Sequence, residues 1–92
     1  MIRHEIRTIS NITPTSVDIA NIIPTAYTLI IQNINSDGYI YLGSNSVSST
    51  NYGFRISPNQ AFTIELPSSQ HLYAIASAPG LTVSLMEISR AI

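Results

Sequence analysis

Residues 61–89 read AFTIELPSSQHLYAIASAPGLTVSLMEIS, and this stretch has the clearest strand pattern in the chain. Apolar and polar residues alternate strictly over residues 62–66, which is the period of a half-buried β-strand. Residues 72–77 form the next run, with Ala74 and Ala76 on one face and Tyr73 and Ile75 on the other, and apolar and polar residues alternate again over residues 81–85. Pro79-Gly80 separates the last two runs and predicts a type II turn, because proline fixes φ and glycine accepts a positive φ. The stretch therefore predicts three short antiparallel strands joined by turns.

The last of these strands changes phase. After Leu85, the apolar positions move by one residue, to Met86 and Ile88. A β-bulge produces such a slip, and a strand end that is buried on both faces is the alternative. The acidic residues Glu65 and Glu87 are expected at outward-facing or edge positions of their strands.

The middle of the chain predicts a central strand followed by a hairpin. Residues 27–34 are largely apolar on both faces, as expected of a strand with neighbours on both sides. Asp37-Gly38 is a strong hairpin signal, with residues 39–42 as the returning strand. Asn33, Asn35 and Asp37 also imitate part of a calcium loop, but no bidentate acid closes it, so the turn is favoured.

The first 26 residues carry a weaker pattern. Ile2, Ile6 and Ile9 have helical spacing, but the segment lacks an N-cap and good helix formers. We expect residues 1–26 to form an extended arm, with one or two short strands, that pairs with a neighbouring subunit's sheet. The alternative is that these residues are the first strands of the chain's own sandwich. Residues 27–92 are the expected core of one domain.

The predicted fold class is all-β. The turn spacing indicates a single compact β-sandwich or jelly-roll of about seven or eight short antiparallel strands. Charged residues make up 10% of the chain, against roughly 25% in an average soluble domain. This depletion is typical of surfaces that other subunits cover, although a neutral, hydroxyl-rich monomer is the alternative.

The composition also argues against several function classes. Four arginines, no lysine and a net charge of -1 leave no basic stripe for nucleic acid. No apolar run approaches the roughly 18 residues of a membrane span. The histidines, His4 and His71, have no Gly-x-Ser-x-Gly motif or cysteine to work with. We therefore expect no enzyme, no cofactor and no metal site, with His71 as a surface or interface histidine.

Tyrosines are the most conspicuous binding candidates. Tyr39 and Tyr41 share one face of a predicted strand, since residues i and i+2 point the same way. Tyrosine is enriched in subunit interfaces, and its ring also stacks on apolar partners such as sugars. The residues predicted to contact partners are Ile2, Ile6, Ile9, Tyr39, Tyr41 and Tyr52.

Three segments carry a resemblance to a known group of proteins. They are YIYLGSNSVSSTNYGF at residues 39–54, ISPNQAF at residues 56–62 and LYAIA at residues 72–76. They resemble small structural proteins of tailed bacteriophages. The resemblance spans residues 39–88 and departs from the pattern at Tyr52, which is inserted, and at Asn59, where glycine is usual.

The resemblance implies a non-enzymatic protein of the virion, assembled in the host cytoplasm. The resemblance first implies a capsid decoration or cement protein, which clamps the major capsid protein. It also implies a homo-oligomer, with a trimer favoured. A tail, baseplate or fibre-associated protein is the alternative. A small carbohydrate-binding or receptor-binding module is the competing class. Gly43 and Gly53 would bracket an exposed loop.

Overall fold

A computed structural model describes residues 2–17, 26–67 and 70–89. These residues form eight strands in two four-stranded sheets, with no helix among them. The strands are β1 (Ile2–Thr8), β2 (Thr15–Ser16), β3 (Tyr27–Asn33), β4 (Ile40–Gly43), β5 (Phe54–Ile56), β6 (Ala61–Leu66), β7 (Tyr73–Ala76) and β8 (Thr82–Ser89). The all-β prediction is confirmed.

The strands pair as though one long hairpin had been wound around itself. β1 pairs with β8, β2 with β7, β3 with β6 and β4 with β5, all antiparallel. The first sheet has the order β1-β8-β3-β6, and the second has the order β2-β7-β4-β5. Among the connections between consecutive strands, only that from β4 to β5 stays within one sheet.

One apolar core lies between the two sheets. The inward residues of β3 and β8 in the first sheet face those of β4 and β7 in the second, as in other sandwiches. Full burial of one leucine or isoleucine side chain contributes about 1.5–3 kcal/mol. The largest fully or almost fully buried aliphatic side chains are Ile9, Val17, Leu29, Ile31, Ile40, Leu42, Ile56, Val83 and Leu85.

The strand predicted from residues 62–66 and the central position of β3 are both confirmed. The hairpin predicted at Asp37-Gly38 is wrong, because β3 and β4 lie in different sheets. The turn instead carries the chain from one sheet to the other. Gly38 takes a φ of 95° there, in the region that glycine adopts without strain. The Asp-Gly signal therefore correctly predicted a turn, but not whether β3 and β4 pair with each other.

The asparagines that imitate a calcium loop form a hydrogen-bonded clamp. Asn33 is fully buried and donates from Nδ2 to the carbonyl oxygens of Gly38 at 3.1 Å and Ile56 at 3.0 Å. Its Oδ1 accepts from the backbone N–H and the Nδ2 of Asn35. Asn35 also binds both backbone polar groups of Thr82. These amides join the turn to β5 and β8 and satisfy buried backbone groups.

The predicted β-bulge in the last strand is also wrong. The register of β8 with both β1 and β3 runs without interruption through Met86 and Ile88. Val83, Leu85 and Glu87 point inward in regular alternation, and Met86 and Ile88 point outward. Glu87 is therefore buried, at 2% exposure, and not at an outward position as expected.

The start of the chain belongs to its own two sheets. β1 pairs along its full length with β8, and β2 pairs with β7. Residues 2–17 are thus not an arm that leaves the domain, and the sandwich begins before residue 27. Of the three isoleucines in this segment, Ile2 and Ile6 point outward on β1, whereas Ile9 turns into the core. The part of the expected arm at residues 18–25 lies outside the described residues.

Candidate interaction surfaces

The outer face of the first sheet carries a block of apolar side chains. Ile2 stands directly across from Ile88, and Met86 stands across from Ile30. Ile6 lies on the same face of β1. Exposure is 66% for Ile2, 63% for Ile6 and 39% for Ile88. We call these five side chains the outer apolar face.

This face is almost uncharged. Among its described residues on all four strands, the only acid or base other than His4 is Glu65, on the far edge strand β6. The charged residues of β1, which are Arg3, Glu5 and Arg7, occupy the inward positions instead. β1 therefore has inverted polarity, with isoleucines toward water and charges toward the sandwich. Contiguous exposed apolar surface of this kind marks interaction sites.

The inward charges of β1 close one edge of the sandwich. Arg7 donates from Nε to Oε2 of Glu5 at 2.7 Å, and its Nη2 lies 2.6 Å from the same oxygen. Its Nη1 donates to the carbonyl oxygen of Ser16 on β2 at 2.7 Å. One guanidinium group thus links the edge strands of the two sheets, which explains why β1 tolerates charges on its inner side.

The second sheet presents tyrosines on its outer side. The ring of Tyr41 lies 4.8 Å from that of Tyr52, with 45° between their planes. The guanidinium of Arg55 sits 4.5 Å above the ring of Tyr39, a cation–π contact. We call Tyr39, Tyr41, Tyr52 and Arg55 the tyrosine face. Tyr39 and Tyr52 are 38% and 44% exposed, and Tyr41 is half-buried.

The structure divides the predicted contact residues between opposite sides of the molecule. Ile2 and Ile6 lie on the outer apolar face, while the three tyrosines lie on the tyrosine face. Ile9 is a correction, because it is 0% exposed and belongs to the chain's own core. Its backbone N–H donates to the carbonyl oxygen of Leu81 and so continues the pairing of β1 with β8.

Sequence reasoning missed three residues of the outer apolar face, namely Ile30, Met86 and Ile88. For Met86 and Ile88, the signal was present as the phase change after Leu85, whereas Ile30 lies in a run that is largely apolar on both faces. The phase change places Met86 and Ile88 on the outward positions of a regular strand. It was interpreted as a bulge, so these two residues were not predicted to be exposed.

The acidic residues do not form a catalytic pair. Glu65 on β6 points outward and is exposed, whereas Glu87 on β8 points inward and is buried. The two carboxyl groups therefore lie on opposite faces of one sheet, and a glycosidase pair must flank a single bond. Within residues 2–17, 26–67 and 70–89, no three histidine or acidic side chains group closely enough to hold a metal ion. That part of the chain also contains no helix long and apolar enough to cross a membrane.

Comparison with known proteins adds no relative. No protein-family model matches the chain, and no curated protein matches its sequence.

Proposed function

We propose that this chain is a non-enzymatic structural protein of a tailed-phage virion. It binds other subunits through the outer apolar face, and capsid decoration ranks ahead of a tail, baseplate or fibre role. The major capsid protein is the proposed partner of a decoration protein, and the chain acts as a homo-oligomer in the virion. The observation that carries the adhesive part of this proposal is the exposed, nearly charge-free block formed by β1, β8 and β3.

The energetics favour a covered face. Moving apolar surface out of water contributes roughly 25 cal/mol per Å². The three most exposed members of the face, Ile2, Ile6 and Ile88, gain most from a partner, because the chain's own folding leaves them in water. Their combined gain is a few kcal/mol before the entropy of association is subtracted.

The order of strand pairing is compatible with the virion role by analogy. The orders β1-β8-β3-β6 and β2-β7-β4-β5 resemble the winding of one long hairpin into a jelly-roll, and jelly-rolls occur in viral capsid and lectin domains. Because one fold serves many functions, this order is compatible with both the proposed role and its competitor.

A local backbone detail also agrees with the resemblance to phage proteins. Asn59 has a φ of 65° and is the one residue besides glycine with positive φ in the described chain. It lies where those proteins carry glycine, and asparagine is among the few residues that accept this conformation. The departure at this position therefore preserves the turn between β5 and β6.

Two matched variants test the adhesive face. Ile88 on the face is 39% exposed, and Ile34, which lies in the connection after β3, is 38% exposed. We expect Ile88→Glu to abolish co-sedimentation with particles that lack the endogenous protein, because a carboxylate would be buried without a partner. Ile34→Glu should bind as the wild type does. Equal binding by both variants would contradict the proposal that this face is the adhesive one.

The location is tested on intact particles. Antibodies raised against the chain should label the head in electron micrographs if it is a decoration protein. Label confined to the tail or its tip would transfer the role to tail assembly. If no particle carries label, the proposal that the chain is a virion protein is contradicted.

The tyrosine face favours a second candidate, a carbohydrate-binding or receptor-binding module. Three tyrosines and Arg55 on one side of a sheet offer ring faces and donors suited to sugars. One face of the Tyr39 ring is already covered by Arg55, and Tyr39 remains 38% exposed. A glycan array distinguishes the two candidates: binding that disappears in Tyr39→Ala supports the module.

A further inference from the structure

The free edge of β1 has the features of a strand that pairs with a second copy of itself. β1 ends its sheet, and no other strand of the described chain pairs with its outer side. The N–H of Ile9 bonds to Leu81, so the odd residues of β1 direct their backbone groups toward β8. The alternation of an antiparallel ladder then directs the backbone groups of Ile2, His4, Ile6 and Thr8 outward.

We propose that the chain forms a two-fold dimer in which β1 pairs antiparallel with β1 of a second copy, centred on His4. His4 then faces His4 of the second copy, Ile2 faces Ile6, and Arg3 faces Glu5. The even residues supply about six backbone hydrogen bonds across the junction, following the antiparallel ladder pattern. The two first sheets become one eight-stranded sheet, a case of strand addition at an exposed edge.

Symmetry and charge select this register from its neighbours. A two-fold axis normal to the sheet keeps the same faces together, so even residues oppose even ones and odd residues oppose odd ones. Centring on Glu5 would place Glu5 against its own copy and Arg3 against Arg7, and like charges directly opposite are destabilising. Centring on His4 instead sets arginine against glutamate twice. Centring on Ile6 also sets Glu5 against Arg7, but it leaves Ile2 outside the paired stretch.

The inward charges do not act here as a barrier to pairing. Inward-pointing charges are one device by which edge strands avoid other chains, and charges of one sign would repel a second copy. The sequence Arg3-His4-Glu5 alternates in sign about His4 and is self-complementary. The outward isoleucines, 66% and 63% exposed, are the opposite of a protected edge. In the dimer the two outer apolar faces adjoin, which doubles the surface offered to a further partner.

The inference concerns the free protein and does not require the virion role. The chain has no cysteine, so single cysteine variants report their own cross-links without background. Hydrogen-bonded antiparallel partners have Cα atoms about 5.5 Å apart, within the range of a disulfide. We expect His4→Cys to form a disulfide-linked dimer under mild oxidation. The rate should be at least about tenfold above that of Thr8→Cys, because facing thiols have a millimolar effective concentration.

Thr8→Cys is the matched control, since it lies on the same face and edge but has no copy of itself opposite. Preferential cross-linking of Glu5→Cys or Ile6→Cys would overturn the proposed register. Equal rates at all of these positions would indicate random collision and overturn the contact itself.

A second measurement does not depend on cysteine. The wild type should sediment with twice the mass of one chain, and His4→Pro should be a folded monomer, because proline removes an outward N–H and spares the ladder to β8. Thr8→Pro, outside the paired stretch, should remain dimeric. A wild type that is monomeric at every concentration, or trimeric, overturns the dimer. A dimer that does not bind particles would contradict the proposed function and leave this inference standing.

Discussion

Replacing Asn33 should be the most damaging single change in the turn that joins the sheets. Its side chain is fully buried and uses both donors and its acceptor oxygen in four hydrogen bonds, from 2.7 to 3.1 Å long. In Asn33→Ala, the carbonyl groups of Gly38 and Ile56 and the N–H of Asn35 lose these partners inside the protein. Each such bond is worth about 1 kcal/mol net, and an orphaned buried group costs about 1–3 kcal/mol.

We therefore expect Asn33→Ala to lower the free energy of unfolding by about 3–5 kcal/mol, since the four bonds add to about 4 kcal/mol. A domain of this length has a total stability of about 5–14 kcal/mol, so the variant should be close to unfolding. Asn33→Asp has a similar volume but turns an oxygen toward both carbonyl groups, and it should cost at least as much.

Urea unfolding followed by circular dichroism measures this loss. With a slope of about 1 kcal/mol per M, the midpoint should fall by about 3 M or more while the slope stays constant. Asn45→Ala, in the exposed loop after β4, is the control and should stay within about 0.5 kcal/mol of the wild type. A loss below about 1 kcal/mol for Asn33→Ala would contradict the proposed role of the clamp, because it would mean that water replaces the hydrogen bonds of Asn33.

Three further changes test the backbone and the core by the same urea assay. Asn59→Ala should cost about 1–2 kcal/mol, because its φ of 65° is strained for a side chain without a local polar group, whereas Asn59→Gly should be nearly neutral. Gly38→Ala should cost more than Gly80→Ala, since both have positive φ but only the added Cβ at Gly38 would lie 2.6 Å from a methyl group of Leu81. Ile9→Ala should lower the free energy of unfolding by about 2–5 kcal/mol, because it truncates a core side chain. No change in that free energy would indicate that Ile9 is a surface residue.

Sequence reasoning located most strands and misjudged how they pair. Alternation is a local property, so residues 61–66 could be assigned from their own side chains. Pairing depends on where the chain goes after a turn, and Asp37-Gly38 has the same local chemistry in a hairpin and in a crossing between sheets. The inward position of Glu87 follows from the uninterrupted alternation of Val83, Leu85 and Glu87, which the predicted bulge would have broken.

The tyrosines were partly accessible from the sequence. Spacing placed Tyr39 and Tyr41 on one face, and the structure confirms that both point outward from the second sheet. The contact of Tyr52 with Tyr41 arises from the loop between β4 and β5. The approach of Arg55 to Tyr39 arises from the pairing of β4 with β5. Neither contact has a local signal.

In β1 and β8, the sequence pattern did not predict which side chains point outward, and these two strands are neighbours in the sheet. β1 carries its isoleucines on the outward side, and β8 adds Met86 and Ile88 to the same side. A domain shaped only by its own stability and solubility gains nothing from these side chains, since polar residues at exposed strand positions change stability by about 0.5 kcal/mol or less. Apolar side chains at exposed strand positions are expected where function requires them. If those on β1 and those on β8 had unrelated causes, they would have no reason to lie on the same surface. We therefore expect Ile6→Thr to leave the urea midpoint unchanged and to weaken self-association; a variant that loses stability and keeps its association would show that the face serves the fold alone.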